Sequence, residues 1–289
     1  MIDSAELLRW YEQAQRDLPW RRAGVTAWQI LVSEFMLQQT PVARVEPVWL
    51  AWVARWPTPS ATAAASAADV LRAWGKLGYP RRAKRLHECA TVIAEQFDDV
   101  VPSEVETLLT LPGIGAYTAR AVACFAYRQR VPVVDTNVRR VVARAVHGRA
   151  DAGGSPSPRD LTDVNALLPN DADAPRFSVA LMELGATVCT ARSPQCGLCP
   201  LSACAWRSRG YPAGTSAHHA QRYAGTDRQV RGRLLDVLRG NDSPVTRAQL
   251  DVAWLTDTAQ RDRALDSLLV DGLVEQTADG RFALAGEGD

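Results

Sequence analysis

Apolar residues recur at helical spacing along most of this chain, and the pattern predicts a largely α-helical protein. A helix with one polar face is expected from Ser4 to Gln15. Residues 27–41 are apolar on nearly every side, so their helix is expected to be buried. Residues 44–100 predict three further helices, and most of four tryptophans are expected in their core: Trp49, Trp52, Trp56 and Trp74.

The middle of the chain predicts three more helices with distinct starts. Ser103 has Glu106 three residues on, which is the spacing of a capping box. Asp135 is a favoured N-cap residue and precedes valines at helical spacing over residues 138–146. Another helix is expected from Phe177 to Val188.

The C-terminal part of the chain predicts a small separate domain. Residues 211–224 are rich in Gly, Ser, Pro and His, and are expected to form a linker. Helices are expected beyond it near Arg228–Arg239, Arg247–Ala253 and Ala259–Val270. Two short strands flank Asp279-Gly280 and predict a hairpin, so residues 225–286 are interpreted as a winged-helix-like domain.

The segment Leu111-Pro112-Gly113-Ile114-Gly115 joins two apolar helices, the second expected from Ala116 to Ala126, and forms a helix-hairpin-helix. Glycine reaches backbone angles that other residues avoid, so Gly113 and Gly115 permit a tight turn. The turn also exposes backbone N–H groups at the positive end of the second helix, which is a phosphate site without base selectivity. An ordinary helix–helix turn is the alternative interpretation.

Four cysteines follow the Phe177–Val188 helix with the spacing Cys-x6-Cys-x2-Cys-x4-Cys: Cys189, Cys196, Cys199 and Cys204. We expect a cytosolic chain, because no signal sequence is recognisable, and ligation is then favoured over disulfides. Zinc sites usually pair two Cys-x2-Cys units, and only one is present. A [4Fe-4S] cluster is therefore predicted, with zinc as the alternative. Cys89 and Cys124 lie in apolar helices and are expected to be buried and unreactive.

The formal net charge of +1 gives no sign of a nucleic-acid partner, but its distribution does. Residues up to Thr215 carry 24 Lys and Arg against 20 Asp and Glu, a balance of +4, and the rest carry 9 against 12, a balance of −3. Basic residues gather in two groups: Arg81, Arg82, Lys84 and Arg85, and Arg139, Arg140 and Arg144. Local patches of this kind favour phosphate binding, although solvated helix faces give the same pattern.

Two carboxylates are candidates for acid–base chemistry. Glu34 is the lone carboxylate in the apolar run of residues 27–41, and burial raises the pKa of a carboxyl group. Asp135, as an N-cap, would accept hydrogen bonds from backbone N–H groups, which favour its charged form. Each has a structural alternative: Glu34 as the buried partner of an arginine, and Asp135 as a cap alone.

The hairpin, Asp135 twenty residues past its second glycine, and the cysteine cluster together resemble the endonuclease III superfamily of DNA glycosylases. The string Ser-Glu-Phe-Met-Leu-Gln-Gln-Thr at residues 33–40 is similar to the signature of its adenine-glycosylase branch, the MutY family. The resemblance covers about residues 5–210. It implies an all-α, endonuclease III-like fold of two helical domains with an iron–sulfur cluster loop, to which this chain adds the winged-helix-like domain.

The resemblance also implies roles for residues at the matching positions. Catalytic roles fall to Glu34, which protonates the expelled base, to Asp135, which stabilises the sugar cation, and to the supporting Asn137 and Tyr117. DNA contacts fall to Leu111, Gly113, Gly115, Gln39, Thr40, Leu77, Arg192 and Tyr79, which wedges into the duplex. Trp20 and Arg21 border the base pocket, and the four clustered cysteines hold a structural [4Fe-4S] cluster.

Some positions qualify the resemblance. Superfamily members that also cut the strand carry a lysine where Tyr117 stands, and a phenol cannot form their Schiff base. Pro80 replaces a family tyrosine, and the last cysteine gap is four residues rather than five. Val179 stands where a Gln or Glu helps to read the adenine edge, which bears on the strictness of adenine selection. No Nudix-like domain that reads 8-oxoguanine is recognisable.

We therefore predict a six-helix barrel domain at residues 28–130 and a cluster domain at residues 1–27 and 131–210, followed by the linker and the C-terminal domain. The predicted function is monofunctional excision of adenine opposite 8-oxoguanine or guanine in double-stranded DNA. We expect a cytoplasmic, nucleoid-associated monomer without membrane contact, whose C-terminal domain contacts a protein. The alternatives are a T:G or U:G mismatch glycosylase on the same scaffold and a non-catalytic, redox-sensitive DNA-binding regulator.

Overall fold

The structure, a computed structural model, describes residues 2–214 and 223–288, and most of them are helical, as predicted. They form two compact units. Unit 1 comprises the described residues of Met1–Ile30, Ser103–Leu109 and Ile114–His218, and unit 2 those of Leu31–Pro102, Thr110–Gly113 and His219–Asp289. Within these ranges, no helix has both the length and the apolar character needed to cross a lipid bilayer.

The elements follow one another in this order. The helices are α1 Ser4–Ala14, α2 Ala27–Leu37, α3 Val42–Arg55, α4 Pro59–Ala63, α5 Ala67–Trp74, α6 Arg81–Gln96, α7 Val105–Leu108, α8 Ala116–Phe125, α9 Thr136–Ala145, α10 Pro158–Asn165, α11 Ala174–Thr187, α12 Ala205–Ser208, α13 Asp227–Arg239, α14 Arg247–Asp251 and α15 Thr258–Val270. Strands β1 Val274–Gln276 and β2 Phe282–Leu284 follow, and single 3₁₀ turns lie at Pro19–Arg21, Gly75–Leu77 and Cys196–Leu198.

Unit 1 is organised around α11, which packs against both α1 and α9. The apolar faces of these helices meet in one core, to which they contribute Leu7 and Tyr11, Val138, Val141 and Val142, and Phe177, Leu181 and Leu184. Asp135 is the N-cap of α9, as predicted, and this cap fixes where the helix starts. The core of unit 1 therefore holds the start of α9 and the end of α11 in place.

The core of unit 2 contains the four tryptophans at residues 49, 52, 56 and 74, all of which are buried, as predicted. Trp52 lies edge-on to both Trp56 and Trp74. The prediction of three helices over residues 44–100 was wrong, because four α-helices, α3 to α6, occupy this stretch. The additional helix is the short α4, which begins at Pro59 because the Thr58 side chain caps it by accepting from the Ala61 N–H.

The predicted capping box at Ser103 was also wrong. Helix α7 begins at Val105 and has no side-chain cap. The Ser103 hydroxyl donates instead to Glu104 Oε1 at 3.2 Å, and the Ser103 carbonyl accepts from Gln129 Nε2 at 3.0 Å. Competing local hydrogen bonds therefore use the groups that would have started the helix earlier.

The C-terminal residues form three helices and an antiparallel hairpin, as predicted. In the hairpin Val274 pairs with Leu284, and Val245 bridges to Phe282. These residues belong to unit 2, in which the Arg239 Nε donates to the Leu71 carbonyl at 3.0 Å. The predicted linker falls largely on residues 215–222, which lie outside the described residues, and the folding of residues 225–286 as a separate domain stays a prediction.

Candidate functional site

The hairpin turn requires glycine at one of its two predicted positions. Gly113 has φ +76°, and a Cβ there would lie 2.8 Å from the Cβ of Arg85 and 2.9 Å from Cε1 of Phe35. Gly115 precedes α8, has φ −101°, and has open space where a Cβ would stand. Gly113 therefore has both a conformational and a steric reason to be glycine, whereas Gly115 has neither.

The same turn leaves the start of α8 without a side-chain cap. Gly115, as the N-cap, has no side-chain acceptor of its own, and it lies at the positive end of the dipole of α8. The side chain of Leu111 is buried, so a DNA contact at this residue would involve its backbone. The geometry is that of an anion site formed by main-chain donors.

Asp135 is held by its own helix and by one side chain. Its Oδ1 accepts from the Val138 N–H at 2.7 Å, and its Oδ2 accepts from Asn137 Nδ2 at 2.8 Å. Burial raises the pKa of Asp135 above its ordinary value, and these hydrogen bonds and the charge of Arg140 oppose the rise. The net direction is upward, because burial outweighs the cap. The ionised state at neutral pH stays a prediction.

Arg140 continues this network towards the cysteine loop. Its Nη2 donates to Asn137 Oδ1 and to the Gly185 carbonyl, both at 2.7 Å, and its Nε donates to the Cys189 carbonyl at 2.8 Å. A Cβ at Gly185 would lie 2.7 Å from the Asn137 Cβ and 2.9 Å from its carbonyl oxygen. Asn137 is thus oriented from two sides. The guanidinium of Arg140 is engaged within unit 1, and its predicted phosphate contact stays a prediction.

Glu34 belongs to unit 2 and lies on α2, with only 7% of its surface exposed. Its helical neighbours Leu31, Val32, Phe35 and Met36 are buried, which confirms the predicted burial of this helix. Glu34 and Asp135 belong to different units. Their joint action stays a prediction.

Four predicted DNA contacts of unit 2 meet around one buried arginine, Arg82, which is 8% exposed. Its guanidinium donates to the carbonyls of Phe35 at 2.9 Å, Met36 at 3.0 Å, Gln38 at 2.7 Å and Gly78 at 3.0 Å, and to the Thr40 hydroxyl at 2.9 Å. The Thr40 hydroxyl also lies 3.2 Å from the Leu77 carbonyl. Arg82 therefore joins the turn that carries Gln39 and Thr40 to the turn that carries Leu77 and Tyr79.

The two predicted contact residues at the tips of these turns have unusual backbones. Gln39 has φ +55° and Tyr79 has φ +47°, in the left-handed region that residues other than glycine seldom adopt. Such strain persists only where the surroundings enforce it, and it is concentrated at functional sites. Sequence reasoning placed Arg82 in a phosphate-binding patch, which was wrong. Burial lowers its pKa to about 10, and both of its terminal nitrogens, Nη1 and Nη2, donate hydrogen bonds within unit 2.

Four other members of the predicted basic patches are buried or have internal partners too. Arg81 pairs with Asp271, whose carbonyl also accepts from Lys84 Nζ at 3.2 Å. Arg139 pairs with Asp160 at 3.2 Å, and Arg144 is buried. Most of these side chains therefore neutralise or cap nearby groups. Arg192 of the cysteine loop is exposed, which leaves it accessible for the predicted DNA contact.

One of the two predicted base-pocket residues, Arg21, contacts a buried carboxylate that sequence reasoning missed. Trp20 is buried, and Arg21 Nη2 donates to Glu183 Oε2 at 3.0 Å. Arg16 Nε donates to Oε1 of the same fully buried carboxylate at 2.6 Å. Burial raises the pKa of Glu183, but the hydrogen bond from Arg16 and the charges of both arginines bring it below its ordinary value. Nη1 of Arg21 is buried without a hydrogen-bond partner among the described residues, and suits a polar ligand atom.

Tyr117 and Val179 have apolar surroundings in unit 1. Tyr117 is partly buried and packs against the small cluster of Ala121, Cys124 and Val133. Val179 packs against the main core of the unit. Both therefore contribute to packing, and their predicted roles in catalysis and in adenine selection stay predictions.

The four clustered cysteines line one pocket of unit 1. The rest of its wall comes from Val141, Arg144, Ala145, Leu184, Val188, Leu201, Trp206 and Arg207. Arg144 donates to the carbonyls of Thr190 and Ala191 at 2.8 and 3.1 Å, and so braces the loop. No three His, Cys, Asp or Glu side chains among the described residues approach closely enough to hold a single metal ion.

This pocket fits a group larger than one metal ion. Four thiolates bound to one zinc at about 2.3 Å would lie very close together. Four cysteines that line one mostly apolar pocket fit a multi-iron cluster with one thiolate at each iron. Outside this pocket, Cys89 and Cys124 are buried as predicted, and burial raises the pKa of Cys89 to about 12.

Comparison with known families identifies both motifs. The HhH-GPD superfamily of base excision DNA repair proteins matches residues 32–161, and the iron–sulfur binding domain of endonuclease III matches residues 189–203. The cofactor of the cysteine loop is therefore a [4Fe-4S] cluster. Among solved structures, a thermostable thymine-DNA glycosylase has 25% identity and a TM-score of 0.66, and covers 71% of this chain and 95% of its own. A non-covalent endonuclease III–DNA complex has 22% identity and a TM-score of 0.61, and covers 72% and 95%, which shows the predicted fold.

Named relatives are more similar in sequence. The adenine DNA glycosylase of Mycolicibacterium smegmatis is 78% identical over 288 residues, which are 100% of this chain and 98% of that protein. The Mycobacterium tuberculosis protein of the same name is 74% identical over 99% of this chain and 95% of its own length. The human protein of that name is 42% identical over 70% of this chain and 39% of its own. The chain belongs to the MutY family of adenine DNA glycosylases, within the HhH-GPD superfamily of base excision DNA repair proteins.

Proposed function

We propose that this chain is a monofunctional glycosylase that excises adenine paired with 8-oxoguanine or guanine in double-stranded DNA, as part of base excision repair. The observation that carries the proposal is Glu34, a carboxyl group that is 7% exposed on an apolar helix, in a chain of the adenine DNA glycosylase family. Adenine is a poor leaving group, and a neutral carboxylic acid is the kind of group that can protonate it. Burial in an apolar helix favours that neutral form.

The proposed reaction divides the work between two carboxyl groups. The target adenine leaves the base stack and enters the pocket, because the glycosidic bond is out of reach within the duplex. Glu34 donates its proton to the base as the bond between the sugar and adenine breaks, and the bonding electrons leave with adenine. Glu34 then takes a proton from the water that adds to the sugar, which restores the acid. General acid–base catalysis of this type contributes about 10² to 10⁴ in rate.

Asp135 stabilises the positive charge that develops on the sugar. A carboxylate about 4 Å from a unit positive charge contributes roughly 4 kcal/mol at an effective dielectric constant of 20, or about three decades in rate. The Val138 N–H and Asn137 Nδ2 hold the two Asp135 oxygens at 2.7 and 2.8 Å, which supports a fixed orientation of this charge. In this proposal Glu34 takes the acid role and Asp135 takes the charge-stabilising role, and the hydrogen bonds from Val138 and Asn137 favour the charged form of Asp135 against the effect of its burial.

Several groups hold the DNA in this proposal. The N–H groups at the start of α8 bind a backbone phosphate, and exposed Arg192 adds charge next to the cluster loop. Tyr79 enters the stack while Gln39 and Thr40 contact the bases around the gap. Trp20 and Arg21 line the pocket for the expelled adenine, where the unpaired Nη1 of Arg21 can donate to it. The [4Fe-4S] cluster, held by the four cysteines, stiffens the loop and takes no part in the reaction steps.

The absence of strand cleavage rests on Tyr117. Lyase chemistry needs an amine that forms a Schiff base with the sugar, and the phenol of Tyr117 cannot supply one. We expect the product to be an intact strand with an abasic site, which breaks only after treatment with alkali. We also expect the enzyme to act as a monomer in the cytoplasm, close to the nucleoid, and to use its C-terminal residues for a protein contact.

The test is single-turnover excision from a labelled duplex with adenine opposite 8-oxoguanine. We expect alkali-dependent strand breaks with wild-type protein and a loss of about 10² to 10⁴ in rate for Glu34→Gln, with duplex binding retained. Glu88→Gln, which changes an exposed glutamate of α6 in the same way, is the matched control and should react at the wild-type rate. Full activity of Glu34→Gln would refute the mechanism.

A panel of four mismatches separates the proposed substrate from its competitor. The thymine-DNA glycosylase with a TM-score of 0.66 has a similar fold and is named for a different base. Release of thymine from T:G with no release of adenine would overturn the adenine assignment. Binding of all four duplexes without any base release would support a non-catalytic regulator instead.

A further inference from the structure

Two arginines lie close to the side chain of Tyr79, one near it in the sequence and one far along the chain. Arg228, on α13, donates from Nη1 to the Tyr79 hydroxyl at 2.8 Å, and its Cζ lies 4.1 Å from the centre of the tyrosine ring. Arg82, on α6, lies 5.5 Å from the same ring centre. A hydrogen bond at the phenol and a cation over the ring together fix both ends of the side chain.

The turn that carries Tyr79 is itself fixed. The Gly78 carbonyl accepts from Trp74 Nε1 and from Arg82 Nη2, both at 3.0 Å. Tyr79 has φ +47° in this turn, a conformation that the surrounding contacts must hold. The backbone is thus set by residues of the helical core, whereas the phenol hydroxyl is set by Arg228.

Helix α13 has a defined position against this part of unit 2. At its end, Arg239 Nε donates to the Leu71 carbonyl at 3.0 Å. Arg231 pairs with Asp271, which also pairs with Arg81 of α6. These contacts place Arg228 beside Tyr79 through the packing of the C-terminal residues. Arg228 itself is exposed, so its remaining N–H groups are accessible to a phosphate or a base.

We propose that Arg228 is a positioning residue for Tyr79, and that the C-terminal residues 223–288 thereby take part in recognition of the mispair. The inference rests on the proposed function in one respect, the insertion of Tyr79 into the duplex. An inserted side chain must be ordered while the bases unstack, and ordering it beforehand removes part of the cost of binding. Arg228 orders the ring by its hydrogen bond and its stacked guanidinium before DNA arrives.

The test uses duplexes in which the target position has no glycosidic bond. A tetrahydrofuran abasic analogue is placed opposite 8-oxoguanine. A 2-aminopurine next to the 8-oxoguanine reports on unstacking, because its fluorescence increases when the base stack opens. We expect Arg228→Ala to bind this duplex about 10-fold more weakly, which is about 1.4 kcal/mol, and to give a smaller fluorescence rise. Binding to the fully paired duplex should change less than twofold.

Further variants separate positioning from general charge and folding effects. Arg228→Lys keeps the charge but loses the planar stacked group. On a logarithmic scale, its loss of affinity should be about half of the loss caused by Arg228→Ala. Arg233→Ala removes an exposed arginine of the same helix that stacks on Trp254 instead, and should bind like the wild-type protein. Tyr79→Phe removes only the phenol hydroxyl and keeps the ring, so it should lose the part of the coupling that the 2.8 Å hydrogen bond provides.

A double-mutant cycle decides the matter. In a Tyr79→Ala background, Arg228→Ala should cause little additional loss, because its partner is absent. An equal loss with and without Tyr79, or an equal loss on the fully paired duplex, would overturn the inference and make Arg228 a simple phosphate contact. No change on any duplex would overturn it too. These binding measurements do not require base release. If the excision assay fails, the proposed function is refuted, but the effect of Arg228 on binding can still be measured.

Discussion

Replacement of Arg82 by methionine should destabilise unit 2 and disorder both turns that carry predicted DNA contacts. Methionine fills a similar buried space but donates no hydrogen bond, so the carbonyls of Phe35, Met36, Gln38 and Gly78 would lose a donor inside the protein.

The magnitude follows from the contacts of Arg82. Five hydrogen bonds from a charged donor at about 1.5 kcal/mol each sum to about 7 kcal/mol. Burial opposes them, since lowering the pKa from 12.5 to about 10 corresponds to about 3 kcal/mol. The difference predicts that Arg82→Met lowers the free energy of unfolding by about 4 kcal/mol.

The assay is urea unfolding followed by helical circular dichroism, with binding of the abasic-analogue duplex measured in parallel. Arg85→Met is the matched control, because Arg85 is an exposed residue on the same helix, and its free energy of unfolding should stay within about 0.5 kcal/mol of wild type. An Arg82→Met protein within about 1 kcal/mol of wild type would refute the role of Arg82 as the link between the two turns.

Five other substitutions test other parts of the site. Gly113→Ala should cost about 1–3 kcal/mol in urea unfolding, because of its φ of +76° and its 2.8 Å clash, whereas Gly115→Ala should cost less than about 1 kcal/mol; equal costs would contradict the steric account. Glu183→Gln should cost about 3 kcal/mol at pH 7. Because the folded pKa of Glu183 is depressed, the ion-pair stabilisation is present above pH 4.5, and the difference between the two proteins should shrink as pH falls through the folded pKa. Asp135→Asn should slow single-turnover excision by about three decades with duplex binding retained. Cys199→Ser should remove the visible absorption of the cluster from purified protein, and undiminished absorption would exclude Cys199 as a ligand.

Local patterns made much of the fold and part of the site predictable. The burial of Glu34 follows from the apolar residues on its own helix, and the cap at Asp135 follows from the residue type and the helix after it. The left-handed backbone at Gly113 follows from the hairpin string. Each of these properties depends on residues within about four positions, which a single sequence displays directly.

Contacts between distant segments were not predictable in the same way. The acceptors of Arg82 lie 42 to 47 positions earlier in the chain or four positions away, in a turn that only the tertiary fold forms. Glu183 meets Arg16 across 167 positions, and Arg228 meets Tyr79 across 149. Arginines within a charged stretch look alike in sequence whether they face solvent or a buried carbonyl, so charge patterning placed Arg82 and Arg144 on the surface, and both are buried.

The close approach of Gly185 to Asn137 makes the position of Asp135 depend on a residue that has no side chain. A helix interior normally favours alanine over glycine by about 1 kcal/mol, yet even a methyl group here would collide with Asn137 at 2.7 Å. A mutational scan that scores activity alone would therefore mark Gly185 as essential, although it has no group to donate, accept or ionise. Intolerance to substitution at Gly185 would reflect the short distance between helices α9 and α11. Attempts to stabilise this protein by choosing residues of higher helix propensity should therefore keep glycine at this position.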